Sequence, residues 1–320
     1  MKILIAGGAG YIGCVLVPKL LERGYDVCVL DLLWFGNHLP KKVKVIKKNI
    51  IDLKEKDLKE YDQIIFLAGL SNDPMADYSP AMNFIENGSV PAYLSYLGKR
   101  SGVNRFIYAS SCSIYGYTVD ELYDETMPTV SNYPYGISKL QGELGSMQLQ
   151  DDNYSVISLR QGTVSGYSPR MRFDLIVNTM FKSAVLNGKI IVNNPHIWRP
   201  ILSIQDAVSG YIRAVEANEN LSGIFNIASG NFTVGEVADY VQAAVKKYMD
   251  IEARIIIKDI HDNRNYKVSI KKIIDVLNFK PVNNIESIVK ELVNNIESFN
   301  DFKNESYYNI KTFKKLISVN

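Results

Sequence analysis

Cysteine and histidine are both scarce in this chain, with three of each among 320 residues. Cys14, Cys28 and Cys112 form no C-x-x-C pair, and no histidine cluster accompanies them. That pattern argues against a disulfide framework and against a zinc site, and it suits a reducing compartment such as the cytoplasm. No metal is expected. An excess of one charge is missing too: 36 basic residues against 34 acidic ones leave a net charge of +2. Nothing there calls for nucleic acid or an anionic membrane surface. The Lys- and Asn-rich stretch after Ile255 alternates charged with apolar residues at helical spacing, the pattern of a solvated helix face. No apolar run is long enough to span a bilayer. The opening "MKILIAGG" reaches its glycines too soon for a secretory signal, so none is expected.

What is present is ordinary globular composition, 47% hydrophobic and 22% charged, on a chain long enough for about two domains. Short apolar runs at residues 2–7, 25–31, 42–50, 61–69, 104–111 and 153–162 read as strands. Helical patterns lie between them, notably over about 80–100 and 135–150. Continuously apolar strands alternating with helices predict a parallel, doubly wound α/β sheet. The rhythm breaks after about Gly166, where loops and shorter elements such as "NNPHIWRPILS" take over. The expected organisation is a dinucleotide-type domain over 1–165 and a smaller substrate domain over 166–295. Segments near 203–230 return to the first, and a polar tail, 296–320, is either a helical extension or a loosely ordered end.

The stretch "GGAGYIG" spaces Gly7, Gly10 and Gly13 as G-x-x-G-x-x-G. It follows a predicted strand and opens a helix. That context aims backbone N–H groups and a helix dipole at a pyrophosphate, and it places Tyr11 and Ile12 in the turn. Asp31 ends the second strand, at the distance expected of an acid that accepts the adenosine ribose hydroxyls. Its charge would repel a 2′-phosphate and no arginine follows closely, so NAD is favoured over NADP.

Tyr135 and Lys139 form Y-x-x-x-K, which puts both side chains on one helical face. An ammonium there lowers the phenol's pKa, so that it can accept an alcohol proton near neutral pH. With 20 tyrosines in the chain, chance matches are expected. Tyr307 and Lys311 are one, with no strand before them. Tyr135 instead follows "YASSCSIYG", whose serines end a predicted strand in the crevice where open α/β sheets bind ligands.

Taken together, Gly7/Gly10/Gly13, Asp31, "LAG" (Leu67, Ala68, Gly69), "SSCSIYG" and "YGISK" resemble the extended short-chain dehydrogenase/reductase family, and within it the nucleotide-sugar epimerase/dehydratase branch. The resemblance covers about residues 1–295. It implies a Rossmann-type fold, NAD as cofactor, a nucleotide-diphosphate sugar as substrate and a homodimer built on the helices near 80–100 and 135–150. By position it implies that Ser111 holds the sugar oxygen, that Tyr135 is the base and that Lys139 is its partner. Asn87 matches an asparagine near the cofactor's diphosphate. Asn49 stands where an adenine-binding aspartate is usual, with Ile50 next to it. "WRPILSIQD" resembles a segment whose arginine, here Arg199, binds the substrate diphosphate, with Ser203 in place of a histidine. Arg264 in "RNYKVS" is a second phosphate candidate.

Within the branch, 4,6-dehydratases carry an acid pair just after the catalytic serine and decarboxylases a glutamate nearby. This chain has Cys112 and Ser113 there, so both readings recede. Cys112 matches a small buried hydrophobe better than a proton carrier. What remains is redox at one sugar carbon, most simply C4: a 4-epimerase, or alternatively a 4-dehydrogenase or 4-ketoreductase. "LSNDP" and "SPRMRFDLIVN" resemble segments of a subgroup that includes GDP-heptose 4-dehydrogenases of surface-polysaccharide synthesis. Ser71, Asn72, Asp73 and Ser113 are then expected at the sugar, and Arg170 and Arg172 at its diphosphate or base. A protein that holds NAD without turnover is the reading from another class; the intact Ser111, Tyr135 and Lys139 argue against it.

Overall fold

The computed structural model describes residues 1–258 and 264–317. Seven strands form the main sheet: β1 (Lys2–Ala6), β2 (Asp26–Leu30), β3 (Lys44–Ile46), β4 (Gln63–Phe66), β5 (Arg105–Ser111), β6 (Ser155–Gln161) and β7 (Gly223–Ile227). Their order is β7-β6-β5-β4-β1-β2-β3, and every pairing is parallel. Side chains alternate across the pleat. Ile3 and Ile5 therefore join Leu16, Val17 and Leu20 of helix Gly13–Glu22 and Tyr211 of helix Ile204–Val215 on one face. Leu4 and Ala6 join Val90, Leu94 and Leu97 of helix Val90–Arg100 on the other. Both faces are covered, which is why these strands read as unbroken apolar runs.

The order reverses at β1, whose neighbours are β2 and β4. A crevice opens beyond the carboxyl ends of strands at such a point. Gly7 leaves β1 there and Leu67 leaves β4.

A second core gathers Met171, Phe173, Val177 and Phe181 with Val237, Val241, Ile288 and Leu292. Phe299 and Phe302 of the C-terminal segment are buried in the same cluster. That segment ends in a helix, Asn309–Ile317, whose Phe313 is buried beside Leu70 and Met75. Residues 318–320 lie outside the described part. The loop expected at "NNPHIWRPILS" is in part a strand, Trp198–Ser203, parallel to Thr163–Ser165 and antiparallel to Gly230–Thr233. Pro200 hid it, because proline cannot donate to a ladder and reads as a break. No helix among the described residues is long and apolar enough to cross a membrane.

Candidate active site

The crevice is a cleft of about 600 Å³ that reaches from the glycine turn to the second core. Its floor is built by steric necessity. Gly7 holds φ at +80°, and a Cβ there would strike the backbone of Ala68; at Gly13 it would strike the carbonyl of Gly8. Those contacts press helix Gly13–Glu22 onto the sheet and leave its first amides facing the cleft. Asp31 is locked in place: Ala9 N donates to Oδ2 at 3.0 Å and Leu33 N to Oδ1 at 2.7 Å. Burial raises its pKa while these amides oppose the rise. A carboxylate so held keeps lone pairs for two ribose hydroxyls. The cradle that only glycine permits, with a fixed acid at its end, fits a dinucleotide.

Ser111 ends β5 and its Oγ accepts from Ser113 N at 3.1 Å. Tyr135 and Lys139 lie on helix Pro134–Met147 and line the same cleft. Tyr135 interacts with the Ser111 hydroxyl, which lowers its pKa, but burial outweighs this and pushes it up to about 12. Lys139 Nζ donates to Ala109 O at 2.8 Å, and burial pulls its pKa down to about 7. Here the structure corrects the expectation from spacing. The ammonium is aimed at Ala109 rather than at the phenol, so desolvation governs both groups. Gly142 lets this helix pack close, since a Cβ there would meet Asn87 O and come within 2.6 Å of the Tyr108 hydroxyl.

The same cleft carries cations. Arg199 donates to Trp198 O at 2.8 Å and to Arg264 O, and lies over Tyr266. Arg264 pairs with Asp73 and lies over Tyr133. Both line the cleft. Arg172 is engaged: Nε and Nη2 grip Asp174 at 2.8 and 3.0 Å, and Nη2 also donates to Ser71 O at 3.1 Å. Asn72, at φ +153°, caps Met75 N and donates to Asp174 at 2.8 Å. Holding a non-glycine residue there costs energy, and such strain clusters at working sites. Ser113 Oγ is 3.3 Å from the Tyr266 hydroxyl.

The cleft thus brings together Gly7, Gly10, Tyr11, Ile12, Gly13, Leu67, Ala68, Gly69, Ser71, Asn72, Ser111, Ser113, Tyr135, Lys139, Arg170, Arg172, Arg199 and Arg264. Four candidates stand back from its lining: Asp31, held as described, and Asn49, Ile50 and Asn87. Asn49 caps a short turn through Ile51 N, and Ile50 is buried in the core. Asn87 directs its amide to Leu70 O, Asn83 Oδ1 and Ser138 Oγ, and accepts from Leu70 N. It fixes the loop after β4 to the helix that bears Tyr135. Cys112 is fully buried and donates to Arg160 O, with burial pushing its thiol pKa up, as suits a core residue. Ser203 is a helix N-cap, accepting from Gln205 N.

Sequence reasoning left out Phe35, Gln161, Thr163, Tyr266 and Asn309, which also line the cleft. Asp73, which belongs to the "LSNDP" stretch expected at the sugar, lines the cleft as well and is paired with Arg264. Asn309 gave no signal.

Comparison with known proteins adds the following. A family model described as "NAD dependent epimerase/dehydratase family" matches residues 3–228. UDP-glucose 4-epimerase of Neisseria meningitidis serogroup C is 26% identical over 275 residues, 76% of this chain and 81% of that protein. UDP-glucuronic acid decarboxylase 3 of Arabidopsis thaliana is 29% identical over 295 residues, 88% of this chain and 84% of that one. The crystal structure of UDP-glucuronic acid 4-epimerase from Bacillus cereus, solved with UDP-glucuronic acid and NAD, superposes with a TM-score of 0.80 at 22% identity, covering 93% of this chain and 99% of that one.

Proposed function

This chain belongs to the NAD-dependent epimerase/dehydratase family, and from that premise we propose that it is a nucleotide-sugar 4-epimerase acting on a UDP-sugar. It is an enzyme with NAD as its cofactor, and the reading as a non-catalytic holder of NAD gives way to relatives that are enzymes. The observation that carries the proposal is the meeting of Ser111, Tyr135 and Lys139 with the glycine cradle, Arg199 and Arg264 in one cleft.

NAD, when bound on Gly7–Gly13 and Asp31, supplies a reversible hydride acceptor. The chain's own residues do the rest. Arg199 and Arg264 hold the diphosphate, a pair of forks suited to it. Ser111 hydrogen-bonds the C4 oxygen. Tyr135 takes the proton of that hydroxyl as the carbon is oxidised, and returns it on reduction. Lys139, held on Ala109 O, fixes the helix that presents the phenol to the serine. Return of hydride to the opposite face of the ketone inverts C4. Departure of the ketone would make the same residues a 4-dehydrogenase, and its entry a 4-ketoreductase, the GDP-heptose type included. The 4-epimerase relative supports inversion, and the UDP in the relatives' names supports UDP over GDP.

The test is incubation of the purified protein with NAD and UDP-, GDP-, CDP- and dTDP-sugars, read by NMR and by absorbance of reduced nicotinamide. A C4 epimer with no net change in absorbance is expected. Stoichiometric reduced cofactor with a keto sugar would favour the dehydrogenase, and loss of water or carbon dioxide would overturn C4 redox as the whole reaction.

Two further parts of the proposal rest on the surface and the thiols. Ile85, Tyr93, Tyr96, Ile137 and Leu144 are exposed on the paired helical segments, which supports a homodimer; a monomer mass by light scattering at micromolar concentration would sink that. Cys14, Cys28 and Cys112 are all buried free thiols, which supports work in a reducing cytoplasm.

A further inference from the structure

Arg170 is a buried cation that the charges of Asp174 and Asp31 reach but that no described carboxylate grips. It is 3% exposed, and no carboxylate among the described residues pairs with it, whereas its neighbour Arg172 has Asp174. Its guanidinium lies 3.7 Å over the Phe35 ring. Nη1 donates to Met171 O at 3.4 Å and Nη2 to Asn309 Oδ1, while Nε is buried with no partner. Burial and the charge of Arg172 pull its pKa down to about 9. Such a group is costly unless something bound compensates it.

Its location identifies the compensating group. Phe35 follows β2, on the ribose side of the cleft. Ser168 donates to Tyr11 O at 2.7 Å and accepts from Arg170 N at 3.3 Å, which ties this segment to the glycine turn. The Cys14 thiol, in the first turn of helix Gly13–Glu22, and the Asp31 carboxylate both feel the Arg170 charge. These neighbours belong to the dinucleotide cradle. The wall formed by Arg199 and Arg264 is separate.

We propose that Arg170 is a diphosphate ligand on the cofactor side of the cleft and that Asn309, from the C-terminal helix, is the positioning residue that aims it. Asn309 suits the role because it is gripped from both ends: its Nδ2 donates to Ser71 Oγ at 2.9 Å while its Oδ1 accepts from Arg170. Phe313, four residues on, is fully buried against Leu70 and Met75 and faces Trp34 at 6.2 Å. The C-terminal helix is thereby fastened to the cofactor half, and the tail becomes part of the dinucleotide site. The inference rests on the NAD reading above.

Two diphosphates share the cleft in that reading, the dinucleotide's and the nucleotide sugar's, so the test measures both in the full chain. NADH is titrated by fluorescence and UDP by calorimetry. Arg170→Gln should weaken NADH binding about 10- to 100-fold, the range for losing a charge-assisted hydrogen bond, and leave UDP binding within about twofold. Asn309→Asp places a carboxylate against the guanidinium. It should raise the melting temperature of the cofactor-free protein and still weaken NADH, which a merely structural asparagine would not produce. Loss of UDP affinity with NADH unchanged would assign Arg170 to the substrate and overturn the proposal. Unchanged NADH binding in a folded Asn309→Asp protein would do the same. A wild-type protein that binds no NADH would overturn the NAD reading itself, a distinguishable result.

Discussion

Lys139 Nζ lies 2.8 Å from the carbonyl oxygen of Ala109, so the helix that carries Tyr135 is fastened to the strand that ends in Ser111. This one bond couples the position of the phenol to that of the serine. It also holds an ammonium where water is excluded, and the cost of doing so shows as a pKa near 7.

That cost gives a pH signature in stability. Lys139 is protonated in the unfolded chain up to about its ordinary pKa of 10.5 but loses its proton near 7 when folded. The folded state is therefore penalised fully below pH 7, and the penalty fades as pH rises toward 10.5. Replacing Lys139 by Met removes the titration. Between pH 7 and 10 the wild type should gain on the order of 1 kcal/mol per pH unit relative to Lys139→Met. Urea denaturation across that range checks it, and a constant difference would show that the lysine titrates normally.

Tyr135→Phe removes the proton acceptor and little else, since the ring still fits. A loss of about 10²- to 10⁴-fold in kcat is expected, with UDP binding unchanged. Calorimetry with UDP separates this from a collapsed site. A variant within tenfold of wild type would move the base to another residue.

The strands, the glycine turn and the Y-x-x-x-K helix were legible because each is set by contacts along a short stretch: alternation across β1, a Cβ excluded at Gly13, a four-residue helical step from Tyr135 to Lys139. The C-terminal segment was not. Phe299, Phe302 and Phe313 stand among polar residues and not on one helix, and they are buried only because two different surfaces meet them, the second core and the pair Leu70 and Met75. Arg170 was legible as a cation in the cleft, but its side of the cleft depends on Phe35 and Asn309, distant in sequence by well over a hundred residues each. Asp73 was legible as a residue near the sugar, but a carboxylate before proline also reads as a helix cap, and its pairing with Arg264 depends on the fold.

Glu143 and Arg160 form an ion pair of 2.7 Å with side chains 0% and 4% exposed. Arg160 also donates to the Tyr115 hydroxyl at 2.7 Å, and Tyr115 donates to Asn226. Removing the acid leaves an uncompensated buried guanidinium behind the site. Glu143→Ala should cost about 3–5 kcal/mol in unfolding free energy, read by urea denaturation. A loss below 1 kcal/mol would mean water reaches Arg160.

Asp73 decides between redox alone and redox followed by elimination. Among the described residues it is one of two carboxylates lining the cleft, with Asp174. Asp174 is occupied by Arg172, whereas Asp73 pairs with Arg264 through one oxygen and keeps the other buried without a partner among the described residues. Burial raises its pKa, with Arg264 opposing, so it can hold a proton more readily than an exposed aspartate. In a 4-epimerase that acid has no proton to deliver to carbon, and its work is to orient Arg264. Asp73→Asn should then raise KM by loosening the diphosphate grip and leave kcat within about tenfold, since proton transfer by Tyr135 is untouched. In a dehydratase the same change removes the proton donor, and kcat should fall about 10²-fold or more. Steady-state kinetics on whichever UDP-sugar is turned over, with solvent deuterium incorporation at C5 scored by NMR, separates the two. Deuterium at C5 in the wild type, lost in Asp73→Asn, would replace the epimerase with an enzyme that eliminates.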